Sequence, residues 1–141
     1  MMWLKKDPDG RPVGGFSKPY CYHIDQFESL RPAFMQVIDY ARAMGLDMIQ
    51  GDHEDAPGQL ELNFTFDDAV RNCDRLTTYR QICAQVAREH GLIACFMSKP
   101  FMGVSASACP YRAKPVESGP RCLSACSIAV ISWPIAPCLP R

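Results

Sequence analysis

Residues 59–66, "QLELNFTF", alternate between polar and apolar without a break. Successive side chains on a strand point to opposite faces, so Leu60, Leu62, Phe64 and Phe66 share one face. Gln59, Glu61, Asn63 and Thr65 share the other. In a helix the same pattern would scatter apolar groups around the whole circumference, so a strand is the reading. Such a strand needs an apolar cover on one side only. Two amphipathic stretches flank it. In the first, Phe27, Leu30, Phe34, Val37, Ile38, Ala41 and Met44 recur at intervals of three and four. The spacing predicts a helix of about 20 residues, stopped by Gly45. Asp25 and Glu28 have capping-box spacing at its start. In the second, Asp67 is placed to cap a helix whose stripe runs through Ala69, Cys73, Leu76, Cys83, Val86 and Ala87 up to Gly91.

Three further strands complete the pattern. Residues 2–5 read as a strand closed by a turn at Asp7–Gly10. "LDMIQ" (46–50) reads as a short buried strand, and "LIACFM" (92–97) as an apolar strand ended by Lys99-Pro100. The order β-α-β-loop-β-α-β, with helices laid on a sheet that keeps one polar face, predicts an α+β layered fold.

At 141 residues the chain is one domain or part of a larger one. Its 15 basic and 15 acidic residues cancel, so no charge excess points to nucleic acid or to a membrane surface. "MMWLKKDPDG" does not resemble a signal peptide, and a cytoplasmic location is expected. The eight cysteines form no CxxC pair; Cys73, Cys83 and Cys95 are expected to be buried free thiols. Composition changes near residue 108. Residues 109–141 hold half of the cysteines, half of the twelve prolines and one acidic residue, Glu117. The apolar run 128–139 is too short to span a bilayer and is broken by Pro134 and Pro137. The expected organisation is a folded unit over 1–107 and an atypical Pro/Cys-rich tail over 108–141.

Between the strand at 46–50 and the one at 59–66 lies an acidic loop containing His53, Glu54 and Asp55. Glu61 must lie on the polar face of its strand, because Leu60 and Leu62 occupy the other. Glu54 stands seven residues earlier, across a turn that Pro57-Gly58 allows to be tight. One reading is a solvated polar turn, with His53 at the surface or hydrogen-bonded. The other is a pair of converging carboxylates, which repel each other unless a cation sits between them. Hard oxygen donors of this kind suit Mg²⁺ or Mn²⁺.

The segment "HEDAPGQLELNF" resembles the signature of the glutamine synthetase family, a Glu followed by Gly-Gln-x-Glu. Further matches follow in the family's order: Asp74, Tyr79-Arg80, Gly91, Ala94 to Met97, and Lys99-Pro100. The resemblance is strongest over about residues 45–107, and its "HED" form is similar to the divergent branch that includes type III-like enzymes and glutamate–amine ligases. It implies part of a catalytic domain whose antiparallel-rich sheet is packed by long helices. The implied activity is an ATP-dependent ligase that makes a γ-glutamyl phosphate from glutamate and passes it to ammonia or a primary amine, in large homo-oligomeric rings. By similarity, Glu54 and Glu61 would bind one divalent ion, and Glu54 would also act at the ammonium site. Phe66 matches a nucleotide-contacting position, although its register makes it equally a core residue. Ser105 and Ala106 fall in the family's glutamate-binding loop.

The chain also departs from the family pattern. The Glu-x-Glu strand expected upstream and the β-grasp domain have no counterpart in this sequence, and Pro110 stands where a metal-binding His is expected. Residues from about 108 onward read as out of frame, truncated or divergent. An inactive portion of a ligase is the resulting expectation; the alternative is a non-catalytic module that associates with full-length ligase subunits.

Overall fold

The computed structural model of the chain describes residues 1–13, 21–65 and 67–107. The tail, Pro110 and Phe66 therefore lie outside the described residues. The elements run β1 (Met2–Lys6), β2 (Pro12–Val13), α1 (Ile24–Glu28), α2 (Arg31–Ala43), β3 (Met48–His53), β4 (Leu60–Phe64), α3 (Ala69–Glu89) and β5 (Ile93–Cys95). The fold is α+β, and among the described residues every strand pairing is antiparallel.

Strand β1 organises the sheet. It pairs with β2 on one side and with β5 on the other. The turn between β1 and β2 closes as expected, with Asp7 N donating to Arg11 O and Gly10 N to Asp7 O. At its start, β1 also meets the hairpin β3–β4 through a bridge between Met2 and Gln59. Trp3 N donates to Gly58 O at 2.7 Å, and Leu60 N donates to Met1 O at 3.0 Å. Both faces of β1 are buried: Trp3 faces the main core, whereas Met2 and Leu4 pack with Ala56 and Cys95 in a second cluster. A strand covered on both sides reads as continuously apolar rather than alternating, which is why "MWL" shows no period.

The helices cover the other side of Leu60 and Leu62. Phe34, Val37 and Ala41 of α2 and Tyr79, Cys83 and Val86 of α3 form the main core with Trp3 and these two leucines. Three expectations about the helices are corrected. The predicted 20-residue helix is broken at Ser29-Leu30 into α1 and α2. The break coincides with Pro32 in the first turn of α2, where its missing N–H removes no helical bond; in a continuous helix it would clash with the carbonyl of Glu28. His23, without a side-chain cap bond, precedes α1, so the Asp25/Glu28 capping box does not form. The cap of α3 is Asp68, not Asp67: its carboxylate accepts from Val70 N and Arg71 N. Asp67 instead pairs with Arg71 and Arg75.

The buried stripe of α3 starts at Asn72 and runs through Tyr79, Ile82, Cys83, Val86 and Ala87. Ala69 and Cys73 lie off it and are exposed. Cys83 and Cys95 are buried free thiols as expected, while Cys73 lies at the surface. The strand predicted as buried at 46–50 is also different: β3 extends to His53, and Ile49 is 64% exposed.

One close approach holds the hairpin to the helices. The ring of Phe34 lies on Gly51, and a Cβ there would stand 2.1 Å from Phe34 Cζ and 3.1 Å from Leu62 Cδ2. Phe34 is buried and stacked edge-on against Phe27 at 4.9 Å, so its ring has little room to yield. Gly51→Ala is expected to destabilise the chain by about 1–3 kcal/mol, the usual cost of overpacking. Urea unfolding of the two proteins checks this; equal midpoints would mean that the ring moves aside freely.

Candidate functional site

The hairpin β3–β4 carries the site. Its register pairs Gln50 with Asn63, Asp52 with Glu61 and His53 with Leu60. Beyond the strand end, Glu54 N donates to Gln59 O at 2.9 Å, so Glu54 continues the ladder opposite Gln59. Cross-strand partners share a face. Gln50, Asp52 and Glu54 therefore join Asn63, Glu61 and Gln59 on a single polar surface. The turn between them is tight because Gly58 adopts φ 72°, a conformation that costs residues with a Cβ far more. Within it, Gln59 N donates to Ala56 O at 2.8 Å.

The β4 side of that polar surface is buried, whereas Gln50 on β3 is exposed and Asp52 and Glu54 are half-buried. Gln59, Glu61 and Asn63 are 1%, 9% and 6% exposed. Asn63 Nδ2 donates to Glu61 Oε1 at 2.8 Å and so orients the carboxylate. Gln50 Nε2 donates to Asp52 at 2.7 Å. The carboxyl of Glu54 lies close enough to that of Glu61 for the two to interact. Partial burial, followed by the bond to and the charge of Glu61, pushes Glu54 up to about 7. Burial and the neighbouring charge of Glu61 thus favour the protonated form of Glu54.

A second loop closes over the turn. Residues 98–107 are joined at their ends by Ser107 N donating to Ser98 O at 2.7 Å. Ser105 Oγ donates to the carboxylate of Asp55. Gln59 Nε2 donates to Ser107 Oγ at 2.9 Å and to Ala106 O at 3.3 Å. Of the candidates named from sequence, Glu54, Glu61, Ser105 and Ala106 are therefore assembled around one hairpin turn, and Phe66 is outside the described residues.

His53 stands apart from this group. Its cross-strand partner is Leu60, and it is buried on the face opposite Glu54. Its Nδ1 accepts from His23 N at 3.3 Å, and its carbonyl accepts from Tyr22 N at 3.0 Å. Burial and then the nearby His23 lower its pKa, which keeps it a neutral hydrogen-bond acceptor. It anchors the segment before α1 rather than joining the carboxylates. That segment brings Cys21 and Tyr22 near them. The Tyr22 phenol is raised by the charges of Glu54 and Asp52, and the Cys21 thiol by burial and the charges of Asp55 and Glu54.

The metal that the sequence resemblance implies would meet a small donor set here. Two carboxyl groups lie side by side, and one of them is oriented by Asn63. A hard divalent ion that displaced the proton would meet oxygen donors of the right chemistry. Among the described residues no group of three or more His, Cys, Asp or Glu side chains is assembled for a metal. The pair therefore fits as part of a coordination shell rather than as a closed cage.

A family model described as "Glutamine synthetase, catalytic domain" matches residues 11–111. The chain belongs to the glutamine synthetase family. It is 42% identical over 90 residues to a glutamate–methylamine ligase of Methyloversatilis universalis, covering 64% of this chain and 20% of that protein. It is 35% identical over 106 residues to a glutamine synthetase of Rhizobium meliloti, covering 72% and 24%. Ligand-free GmaS is similar in structure, with a TM-score of 0.66 at 30% identity over 75% of this chain and 26% of that one. A GmaS/ADP complex gives 0.65, again at 30% identity, over 74% and 25%. The chain thus spans a fifth to a quarter of the length of these curated relatives. The glutamine synthetase fold assignment agrees with the antiparallel α+β architecture. Among the described residues no helix is long and apolar enough to cross a membrane.

Of the residues around the turn, Asp52 was not named from the sequence, while Asp55, placed in the acidic loop, and Gln59 and Asn63, placed on the polar face of the strand, were given no role of their own. The signal for Asp52 was present, since Gln50, Asp52 and Glu54 already alternate with a period of two. The pairing of Asp55 with Ser105 joins residues 50 apart and has no local signal.

A raised carboxyl pKa has a definite sign. Between the ordinary value of 4.5 and about 7, the folded chain holds a proton on Glu54 that the unfolded chain has released. Stability from this group is therefore greatest at low pH and is lost as pH rises through about 7. His53, with its pKa lowered, acts in the opposite sense just below its ordinary value of 6.5. Comparison with Glu54→Gln isolates the carboxyl. Between pH 5 and 8 the melting temperature of the native chain is expected to fall relative to that of the variant, and millimolar Mn²⁺ is expected to restore it at pH 8. Parallel curves without metal would refute the raised pKa of Glu54.

Proposed function

We propose that this chain is one portion of an ATP-dependent glutamate–ammonia or glutamate–amine ligase, and that its acidic hairpin supplies one arm of the divalent-metal site. The observation that carries the reading is the meeting of Glu54 and Glu61 on a buried polar face, with the 98–107 loop tied to the same turn. Glu61, fixed by Asn63, would hold Mg²⁺ or Mn²⁺, and Glu54 would share that ion once its proton has left. Bound there, the ion would neutralise phosphate charge during phosphoryl transfer to the γ-carboxylate of glutamate. Glu54 would also stand where an incoming ammonium or alkylammonium group loses its charge to a carboxylate. Ser105 and Ala106 would face the glutamate, and Phe66 the nucleotide.

The same geometry argues against turnover by this chain alone. Phosphoryl transfer needs several preorganised charges at once, and loss of one such group typically costs 10²–10³ in rate. The described residues bring together the acidic side chains of one hairpin turn, Asp52, Glu54, Asp55 and Glu61, and a loop whose one charged residue is Lys99. The reading extends to the organisation of the chain: residues 1–107 form the ligase-like unit, residues 108–141 are a Pro/Cys-rich tail set apart by composition, and the complete site and its ring assembly require further elements of the family.

Two measurements on the purified chain test this. Electron paramagnetic resonance is expected to show one bound Mn²⁺ with a dissociation constant of roughly 0.1–1 mM, the range of weak oxygen sites for divalent ions. Glu61→Gln is expected to abolish that binding. Formation of γ-glutamyl hydroxamate from glutamate, ATP and hydroxylamine is expected to stay at background. Mn²⁺ binding that survives Glu61→Gln would overturn the site assignment, and measurable ligation would overturn the incomplete-site reading.

A further inference from the structure

The Gly-Gln-x-Glu segment contains a residue for which the carboxylate chemistry has no direct use. Gln59 is almost wholly buried, and a buried primary amide needs partners at both ends. Its Oε1 accepts from Ala56 N at 3.0 Å, inside the hairpin turn. Its Nε2 donates to Ser107 Oγ and Ala106 O in the 98–107 loop. Only one orientation of the amide serves both sides, because Ala56 offers a donor and Ala106 an acceptor. The backbone of Gln59 is equally committed: its carbonyl accepts from Glu54 N, and its N–H donates to Ala56 O.

One side chain therefore joins the turn that carries Glu54 to a loop 47 and 48 residues away in sequence. The Ser105–Asp55 bond spans the same two loops. Its acceptor is a carboxylate, however, which protons or cations can claim. The amide of Gln59 is neutral at every pH, so its link is indifferent to the ions that come and go at the pair. Apolar packing backs the link, since Ala56 lies in one cluster with Cys95, Phe101 and Val104.

We propose that Gln59 is a positioning residue that sets the spacing between the Glu54–Glu61 pair and the Ser105–Ala106 loop, and so holds the metal half and the glutamate half of the site in register. The inference rests on the reading of that pair as a metal arm. A side chain of this length with both a donor and an acceptor is required; leucine fills the volume without either bond.

The test uses the full chain, uniformly ¹⁵N-labelled, with Mn²⁺ as the probe. Bound Mn²⁺ broadens nearby amide resonances steeply with distance. In the native chain the amides of Ala106 and Ser107 are expected to broaden together with that of Glu61. In Gln59→Leu, at equal metal occupancy, broadening at 106 and 107 is expected to fall by more than half. Mn²⁺ affinity is expected to drop about tenfold, as for loss of other groups that orient ligands. Ser107→Ala, a milder change, is expected to move both readouts in the same direction. Ile82→Val, which loosens the core remote from the turn, is expected to lower the melting temperature without changing either. Unchanged broadening and affinity in Gln59→Leu and Ser107→Ala would overturn the proposal. If the native chain binds no Mn²⁺, the metal reading fails. Gln59 is then judged by hydrogen exchange at Ala56 and Ser107: faster exchange in Gln59→Leu supports the link between loops, and unchanged exchange overturns it.

Discussion

Two carboxyl groups, Glu61 on β4 and Glu54 just beyond the end of β3, are brought together on one face of a hairpin. Asn63 holds one by a hydrogen bond. The other is fixed by a backbone that continues the ladder to Gln59. Like charges at this separation are tolerated only with a proton or a cation between them. The rest of the described structure keeps that condition in force. The apolar face of the hairpin is anchored by Leu60 and Leu62 in the main core, and Phe34 lies directly on Gly51. A looser hairpin would let the carboxylates separate into water, and the reason for a bound cation would vanish.

The scaffold also explains why the acidic turn sits where a second loop can reach it. Strand β1 is bonded to β5 along one edge and touches the hairpin through Met2 and Gln59. The loop that leaves β5 is thereby delivered to the turn, and Ser105, Ala106 and Ser107 meet Asp55 and Gln59. Helices α2 and α3 add cover and stiffness but contribute no group to this cluster. The separation resembles the usual division in enzymes, where a rigid layered scaffold positions chemistry carried by loops and strand ends.

Much of this was legible in the sequence because strand periodicity is strict. The alternation of "QLELNFTF" placed Glu61 correctly and separated it from Leu60 and Leu62. The same rule, continued through Gln50 and Asp52, would also have placed Asp52 beside Glu61. Helical features were less determinate. Adjacent aspartates 67 and 68 compete for one cap, and only the three-dimensional register assigns it to Asp68. Cys73 and Asn72 both fit a three-and-four stripe, and packing chose Asn72. Pro32 was a visible signal of the helix break that the apolar spacing of Phe27, Leu30 and Phe34 concealed. The burial of Gln59 was not foreseeable locally, because the loop that bonds its amide lies 47 and 48 residues further along the chain. Ser105 and Ala106 were named by resemblance alone, and their arrival at the turn is a tertiary fact.

The most direct test of the central claim follows the side-chain carboxyl carbons of Glu54 and Glu61 by ¹³C NMR during a Mg²⁺ titration at neutral pH. Mg²⁺ is diamagnetic, so both resonances remain visible. The expected result is that the two shift together along one binding curve, with release of the proton held by Glu54. Independent curves, or no shift at tens of millimolar Mg²⁺, would contradict the assignment of this pair as a metal arm.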